Sequence, residues 1–126
     1  MAENNVVLIS GTSKGVGREV VEHYAGKGCK VVGCSPSPFD GEFSGYRHYC
    51  LDVGDEPAVK KMFSEIRKQE GRLDVLINNA GVALMNHSLL IPIKALKNII
   101  DTNFIGTFLL SREARIATSD PARDAV

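Results

Sequence analysis

Ser10-Gly11-Thr12-Ser13-Lys14-Gly15-Val16-Gly17 follows directly on the apolar run Val6-Val7-Leu8-Ile9, and this junction decides the fold. Three glycines at this spacing suit a strand that turns sharply into a helix. Without a Cβ, Gly11 can take the tight turn, Gly15 lets backbone approach a pyrophosphate, and Gly17 lets the helix lie close to its strand. The helix then aims its free N–H groups and positive dipole end at the anion. A flexible loop also collects glycines, so the flanking sequence has to separate the two readings. Val16, Val20, Val21, Tyr24 and Ala25 share one helical face, Gly26-Lys27-Gly28 supplies a glycine stop, and a second apolar strand opens at Lys30. That context favours strand, phosphate turn and helix.

With 126 residues and a formal net charge of zero, the chain has room for one domain and one core, and gives no electrostatic case for nucleic acid or a membrane surface. The amino terminus has no basic segment followed by a long apolar run, and no window approaches the roughly 18 apolar residues of a membrane span. A soluble, cytoplasmic protein is expected. Cys29, Cys34 and Cys50 are odd in number and lack C-x-x-C spacing. They read as buried reduced thiols, with no disulfide and no metal site.

Strands and helices alternate along the chain. The second strand, 30–34, runs into Ser35-Pro36-Ser37-Pro38-Phe39-Asp40-Gly41, which is too rich in proline and glycine for a long helix. The crossover helix expected between parallel strands is therefore vestigial or replaced by an irregular loop. A third strand is predicted over 47–51. Asp52-Val53 follow it, and Gly54-Asp55-Glu56-Pro57 provides a capping carboxylate and an early proline for a helix over 58–70. Val59, Met62, Phe63 and Ile66 form its apolar face, and Lys60, Lys61, Arg67 and Lys68 read as its solvated side. Gly71 closes it, and 73–77 forms a fourth strand buried on both faces, ending in Asn78-Asn79-Ala80-Gly81. In an open parallel sheet, ligands bind outside the carboxyl ends of the strands. The glycine turn and this tetrapeptide should line one crevice. Residues 82–92 read as a loop, apolar at Leu84, Met85, Leu89, Leu90 and Ile91, and 93–116 as one long helix.

The Ser-Gly-x-x-x-Gly-x-Gly spacing together with Asn78-Asn79-Ala80-Gly81 resembles the short-chain dehydrogenase/reductase family, whose opening motif usually begins with Thr. The resemblance covers residues 6 to about 114 and is similar in character to the NADPH-dependent 3-oxoacyl carrier-protein reductases. It implies a Rossmann-like, doubly wound parallel α/β sheet in the order 3-2-1-4, truncated after the long helix: a dinucleotide-binding domain over 1–118 and a polar tail over 119–126. It implies a cofactor site built from Ser10, Gly11, Ser13, Lys14, Gly15, Val16, Gly17, Ser35, Ser37, Asp52, Val53, Asn79, Ala80 and Gly81. Asn79, Ala80 and Gly81 would back the adenosine ribose, and Asp52 and Val53 would meet the adenine through side chain and backbone. Asp52 also reads as a helix cap. Asn103, in Asp101-Thr102-Asn103-Phe104-Ile105-Gly106, matches the Asn of the family's catalytic tetrad, and equally suits an amide filling a helix kink.

The family's proton transfer uses a Tyr followed four residues later by a Lys whose charge lowers the phenol pKa. Tyr24, Tyr46 and Tyr49 are followed at that distance by Gly28, Cys50 and Val53, and all precede the Asn-Asn-Ala-Gly turn. The expectation is dinucleotide binding without redox competence of the chain alone. The alternatives left open are the N-terminal part of an active NADPH-dependent ketoreductase and a nucleotide-binding pseudoenzyme or assembly partner. Cys34-Ser35-Pro36-Ser37 places no carboxylate at the end of the second strand, where one would repel a 2′-phosphate. Lys14, Ser35 and Ser37 could receive that phosphate, so NADP(H) is expected over NAD(H). The long helix reads as apolar nearly all round, with Leu96, Ile100, Asn103, Thr107 and Leu110 toward the sheet and Phe104, Ile105, Phe108 and Leu109 elsewhere. That pattern and the open edge of strand 73–77 predict a homo-oligomer, most simply a two-fold dimer.

Overall fold

The apolar run becomes β1 (Val6–Ser10), with every residue buried, in a computed structural model that describes residues 4–41, 43–81 and 90–117. β1 lies between β2 (Lys30–Ser35) and β4 (Val75–Ile77), and β2 continues to β3 (Tyr46–Cys50). All pairings are parallel and the order is 3-2-1-4, as expected. Val6 sits opposite Lys30, Val7 opposite Val75, and Val31 opposite Tyr46.

Because side chains alternate across a strand, the continuous apolar run of β1 feeds two cores. Val6 and Leu8 join Val32 and Cys34 under α2 (Glu56–Glu70) and α4 (Thr107–Ala117), where Val59, Met62, Phe63, Ile66, Leu109 and Leu110 are buried. Val7 and Ile9 join Val31 and Cys29 under Val21 of α1 (Gly15–Gly26). Burying each large side chain contributes on the order of 2 kcal/mol. The α2 boundaries follow from local chemistry. Asp55 caps the helix by accepting the Ala58 N–H at 3.3 Å, Pro57 occupies the first turn, and Gly71 ends it at φ +72°. Cys34, with no exposed surface, is held as a neutral thiol because burial pushes it up to about 12.

Several expectations are corrected. β4 starts at Val75, not at residue 73, because the Asp74 carboxylate replaces a strand bond by accepting the Val6 N–H at 2.8 Å while Arg72 holds its other oxygen at 2.6 Å. Cys50 is exposed at the end of edge strand β3, whereas Cys29 and Cys34 are buried. Val16 is exposed rather than on the buried face of α1, because the first helical turn stands beyond the carboxyl end of β1, where the sheet beneath it has stopped. Asp52 does not cap α2; its Oδ1 accepts the Gly54 N–H at 2.9 Å within the preceding turn. Between β2 and β3 the described residues form no helix, in line with the proline-rich sequence.

The predicted long helix is three segments: α3 (Ile93–Ile100), a π-helical stretch (Asp101–Gly106) and α4. A π turn adds a residue to the repeat, so a 3.6-residue phase carried through it fails. Leu109 turns inward with Leu110, Ile105 packs against the core, and Leu96 and Ile100 are exposed, reversing their expected faces. Gly106 fixes the crossing, since a Cβ there would lie 2.4 Å from Val53 Cγ2. Most of the apolar 82–92 loop and the predicted tail lie outside the described residues. Among those residues no helix is long and apolar enough to cross a membrane.

Candidate functional site

The carboxyl ends of β1, β2 and β4 open into a cleft of about 520 Å³. Its floor is the glycine turn. Gly11 has φ +75° and its N–H donates to the Cys34 carbonyl at 2.8 Å; a Cβ on it would come within 3.0 Å of Ala80 backbone. The demand at Gly17 is steric and stricter, because a Cβ there would lie 2.0 Å from the Gly11 carbonyl oxygen and 2.6 Å from Asn79 Nδ2. Gly15, at φ +64°, faces open space. Lys14 stands at the N-cap position of α1 without a side-chain cap, and the first turn has no carboxylate. The helix therefore presents its N-terminal N–H groups and dipole to the cleft unneutralised.

Ser10, 1% exposed, does not line the cleft but joins its two halves. Its Oγ accepts the N–H of Asn79 at 3.0 Å and of Ala80 at 2.9 Å, and the Asn79 amide donates back to the Gly11 carbonyl at 3.1 Å. The turn after β1 and the turn after β4 are thereby one rigid unit, about 70 residues apart in sequence.

Of the residues expected to form the site, Gly11, Ser13, Lys14 and Gly15 line the cleft on one side, Ser35 and Ser37 on a second, and Asp52, Val53, Asn79, Ala80 and Gly81 on the rest. Gly17 and Ser10 support it from beneath, and Val16 points away. Val53 buries its side chain in the core, leaving its backbone to the cleft. The Ser35 hydroxyl is already committed, donating to the Ser37 carbonyl at 2.6 Å. Lys14 and Asp52 are the charged side chains among the described lining residues. Asn103 is outside the lining, with Oδ1 facing Gly81, 3.5 Å from where a Cβ would be. Sequence reasoning missed Pro36, Asn98 and Thr102. Asn98 and Thr102 are one turn apart on the helical face that overlooks the cleft.

This arrangement suits an extended anionic ligand. Backbone N–H groups and Lys14 offer positive charge, and Gly11 and Gly17, where a Cβ would collide, keep the turn tight enough for close approach.

The sequence matches the family model described as short chain dehydrogenase over residues 5–118. It is 31% identical over 116 residues to the 3-oxoacyl-[acyl-carrier-protein] reductase FabG of Escherichia coli K12, covering 87% of this chain and 48% of that protein. A short chain dehydrogenase from Leptospira borgpetersenii with bound NAD+ superposes with a TM-score of 0.84 at 25% identity, over 89% of this chain and 45% of the other. A substituted ElxO with NADPH bound gives 0.79 at 31% identity, over 90% and 50%. The chain spans about half the length of the relatives it matches. The family match takes in the glycine turn, the Asn-Asn-Ala-Gly turn and the whole four-stranded sheet, and the chain belongs to the short chain dehydrogenase family.

Proposed function

We propose that the cleft binds a nicotinamide dinucleotide, NADP(H) in preference to NAD(H), and that the chain is the cofactor-binding part of a carbonyl/alcohol oxidoreductase of the ketoreductase class. The observation that carries this reading is the cradle of Gly11, Gly15 and Gly17 locked to Asn79-Ala80 through the Ser10 hydroxyl. The pyrophosphate lies on the first turn of α1, Asn79, Ala80 and Gly81 back the adenosine ribose, and Asp52 with the Val53 backbone meets the adenine. When bound, the nicotinamide supplies hydride transfer. This chain's residues bind and orient it.

Both NAD+ and NADPH occur on solved relatives, so the preference has to come from this chain. Pro36 and Ser37, directly after β2, put no carboxylate into the cleft, and Lys14 and Ser37 both line it. The Ser35 hydroxyl, held by the Ser37 carbonyl, contributes through the wall and not by direct donation. Calorimetric titration with both dinucleotides tests the proposal. Tighter binding of NAD(H) overturns the preference, and binding of neither overturns the site.

Proton transfer is assigned to no tyrosine here. Burial pushes the Tyr46 phenol up to about 12, the opposite of what general acid/base work near neutral pH requires. Asn103 keeps a place beside Gly81 that suits a relay amide. The chain alone should not oxidise NADPH with acyl or quinone substrates; turnover near 1 s⁻¹, within the usual enzyme range, would show a missed catalytic group.

Association is the second part of the proposal. Ile93, Phe104, Phe108 and Ile116 are exposed along α3, the π segment and α4, and β4 pairs on one side only among the described residues. Such a surface suits burial against a second copy, and this favours the reading of an assembly partner as well as that of an enzyme part. Light scattering at micromolar concentration should give twice the chain mass or more; a clean monomer overturns it.

A further inference from the structure

Two walls of the cleft are joined by a chain of side chains that binding itself does not use. Thr12, wholly buried within the glycine turn, has Oγ1 2.8 Å from the Tyr46 hydroxyl. That hydroxyl is 2.7 Å from His48 Nδ1. His48 Nε2 is 2.9 Å from the Ser37 carbonyl oxygen and 3.1 Å from Ser35 Oγ. The direction of each bond follows from the chemistry of the groups. A carbonyl only accepts, so Nε2 carries the hydrogen; in a neutral imidazole Nδ1 then accepts, and the Tyr46 hydroxyl must donate to it. The phenol oxygen is left to accept from Thr12. Proton donation thus runs from Thr12 to Tyr46 to His48 to the Ser37 carbonyl, from the phosphate side of the cleft to the wall after β2.

The fold makes room for this chain at one place. Gly33, in the middle of β2, has no Cβ, and one built there would lie 2.1 Å from the Tyr46 hydroxyl and 2.6 Å from Thr12 Oγ1. Phe39 covers the outside, with ring centroids 4.5 Å from Tyr46 and 5.7 Å from His48. Pro36 and Pro38 flank Ser37 and deprive the segment of two backbone N–H groups. The Ser37 carbonyl has two donors, the Ser35 hydroxyl at 2.6 Å and His48 at 2.9 Å, and the bond from His48 is the one that ties this wall to β3 and onward to Thr12.

We propose that the Thr12–Tyr46–His48 chain is a positioning device that sets the Ser37 wall against the glycine turn and so fixes how the cleft discriminates a dinucleotide bearing a 2′-phosphate from one without it. The proposal rests on the dinucleotide reading given above. His48 and Tyr46 are positioning residues acting through Ser37. A general loosening of the fold would weaken both dinucleotides alike, whereas a displaced Ser37 wall changes their ratio.

The test is calorimetry with NADP+ and NAD+ on the wild type, His48→Leu, His48→Gln and Tyr46→Phe, together with ¹⁵N NMR of the His48 ring without ligand. Losing one net hydrogen bond at the tether should lower the NADP+ to NAD+ affinity ratio about fivefold in His48→Leu and Tyr46→Phe. Gln keeps a donor toward the Ser37 carbonyl and should hold the ratio within about twofold of wild type, since that one hydrogen bond survives. The ring should be the Nε2–H tautomer in the wild type and a mixture in Tyr46→Phe. If His48→Leu does not fold, Tyr46→Phe, which removes one oxygen and keeps the ring packing, carries the affinity test. An unchanged ratio in folded variants, or an Nδ1–H ring in the wild type, overturns the positioning role and leaves the dinucleotide reading standing. A wild type that binds neither dinucleotide overturns both.

Discussion

Ser10→Ala tests the bridge between the two turns. The substitution removes the oxygen that accepts from both Asn79 and Ala80, at 3.0 and 2.9 Å, and leaves a methyl in a site that is 1% exposed. Two net hydrogen bonds at about 1 kcal/mol each give a loss of about 2 kcal/mol, and orphaned amide donors raise it further. Asn79 and Ala80 are only half-buried, so water can serve one of them. The expected cost is then about 2–3 kcal/mol. For a domain of this size that lowers the midpoint of thermal unfolding by roughly 8–15 °C. Urea unfolding gives the free energy, and amide exchange at residues 79 and 80 locates it. Ser13→Ala, in the same turn but outside this bridge, should stay within about 0.5 kcal/mol of wild type. If Ser10→Ala does the same and the two amides exchange no faster, the bridge does not hold the turns together.

Gly17→Ala places a methyl 2.0 Å from a backbone oxygen that cannot yield, so a loss of about 3 kcal/mol or more in urea unfolding is expected. Gly26→Ala, in the same helix with open space around it, should instead gain about 0.5 kcal/mol. Asp55→Ala removes the cap on α2 and should cost about 1 kcal/mol. Burial raises Cys34 from 9.0 and Tyr46 from 10.0, each to about 12, so between these limits the native state holds protons that the unfolded chain has lost. Their contribution is complete below pH 9 and falls as pH rises toward 12, and Tyr46→Phe should flatten the decline in urea midpoint above pH 10.

The sheet and the cradle were legible because their requirements are local. Gly11 and Gly17 stand where the backbone admits no Cβ, β1 is a continuous apolar run, and Asp55, Pro57 and Gly71 mark the ends of α2 one residue at a time. Strand order came from the resemblance, and the shared crevice from the rule that ligands bind at the carboxyl ends of parallel strands. The bridge from Ser10 to residues 79 and 80 was not foreseen, since nothing in the spacing says that they meet. The long helix was misphased because a π turn leaves no mark in a hydrophobic pattern, although Gly106 in mid-helix was a sign of close approach. The Thr12–Tyr46–His48 chain joins residues 34 and 2 apart in sequence, and its one clue was Gly33 inside the buried strand β2. Asp74 taking the place of a strand bond depends on Val6, 68 residues away, and no local pattern carries it.

The central claim is that a dinucleotide lies across the carboxyl ends of β1, β2 and β4. Hydrogen–deuterium exchange with and without saturating NADP+ tests it most directly. The account predicts slower exchange in three separate stretches, 11–17, 35–37 and 79–81, with α2 unchanged apart from its first turn. Protection confined to the exposed face of α3 and α4, or no protection in the glycine turn, would contradict it.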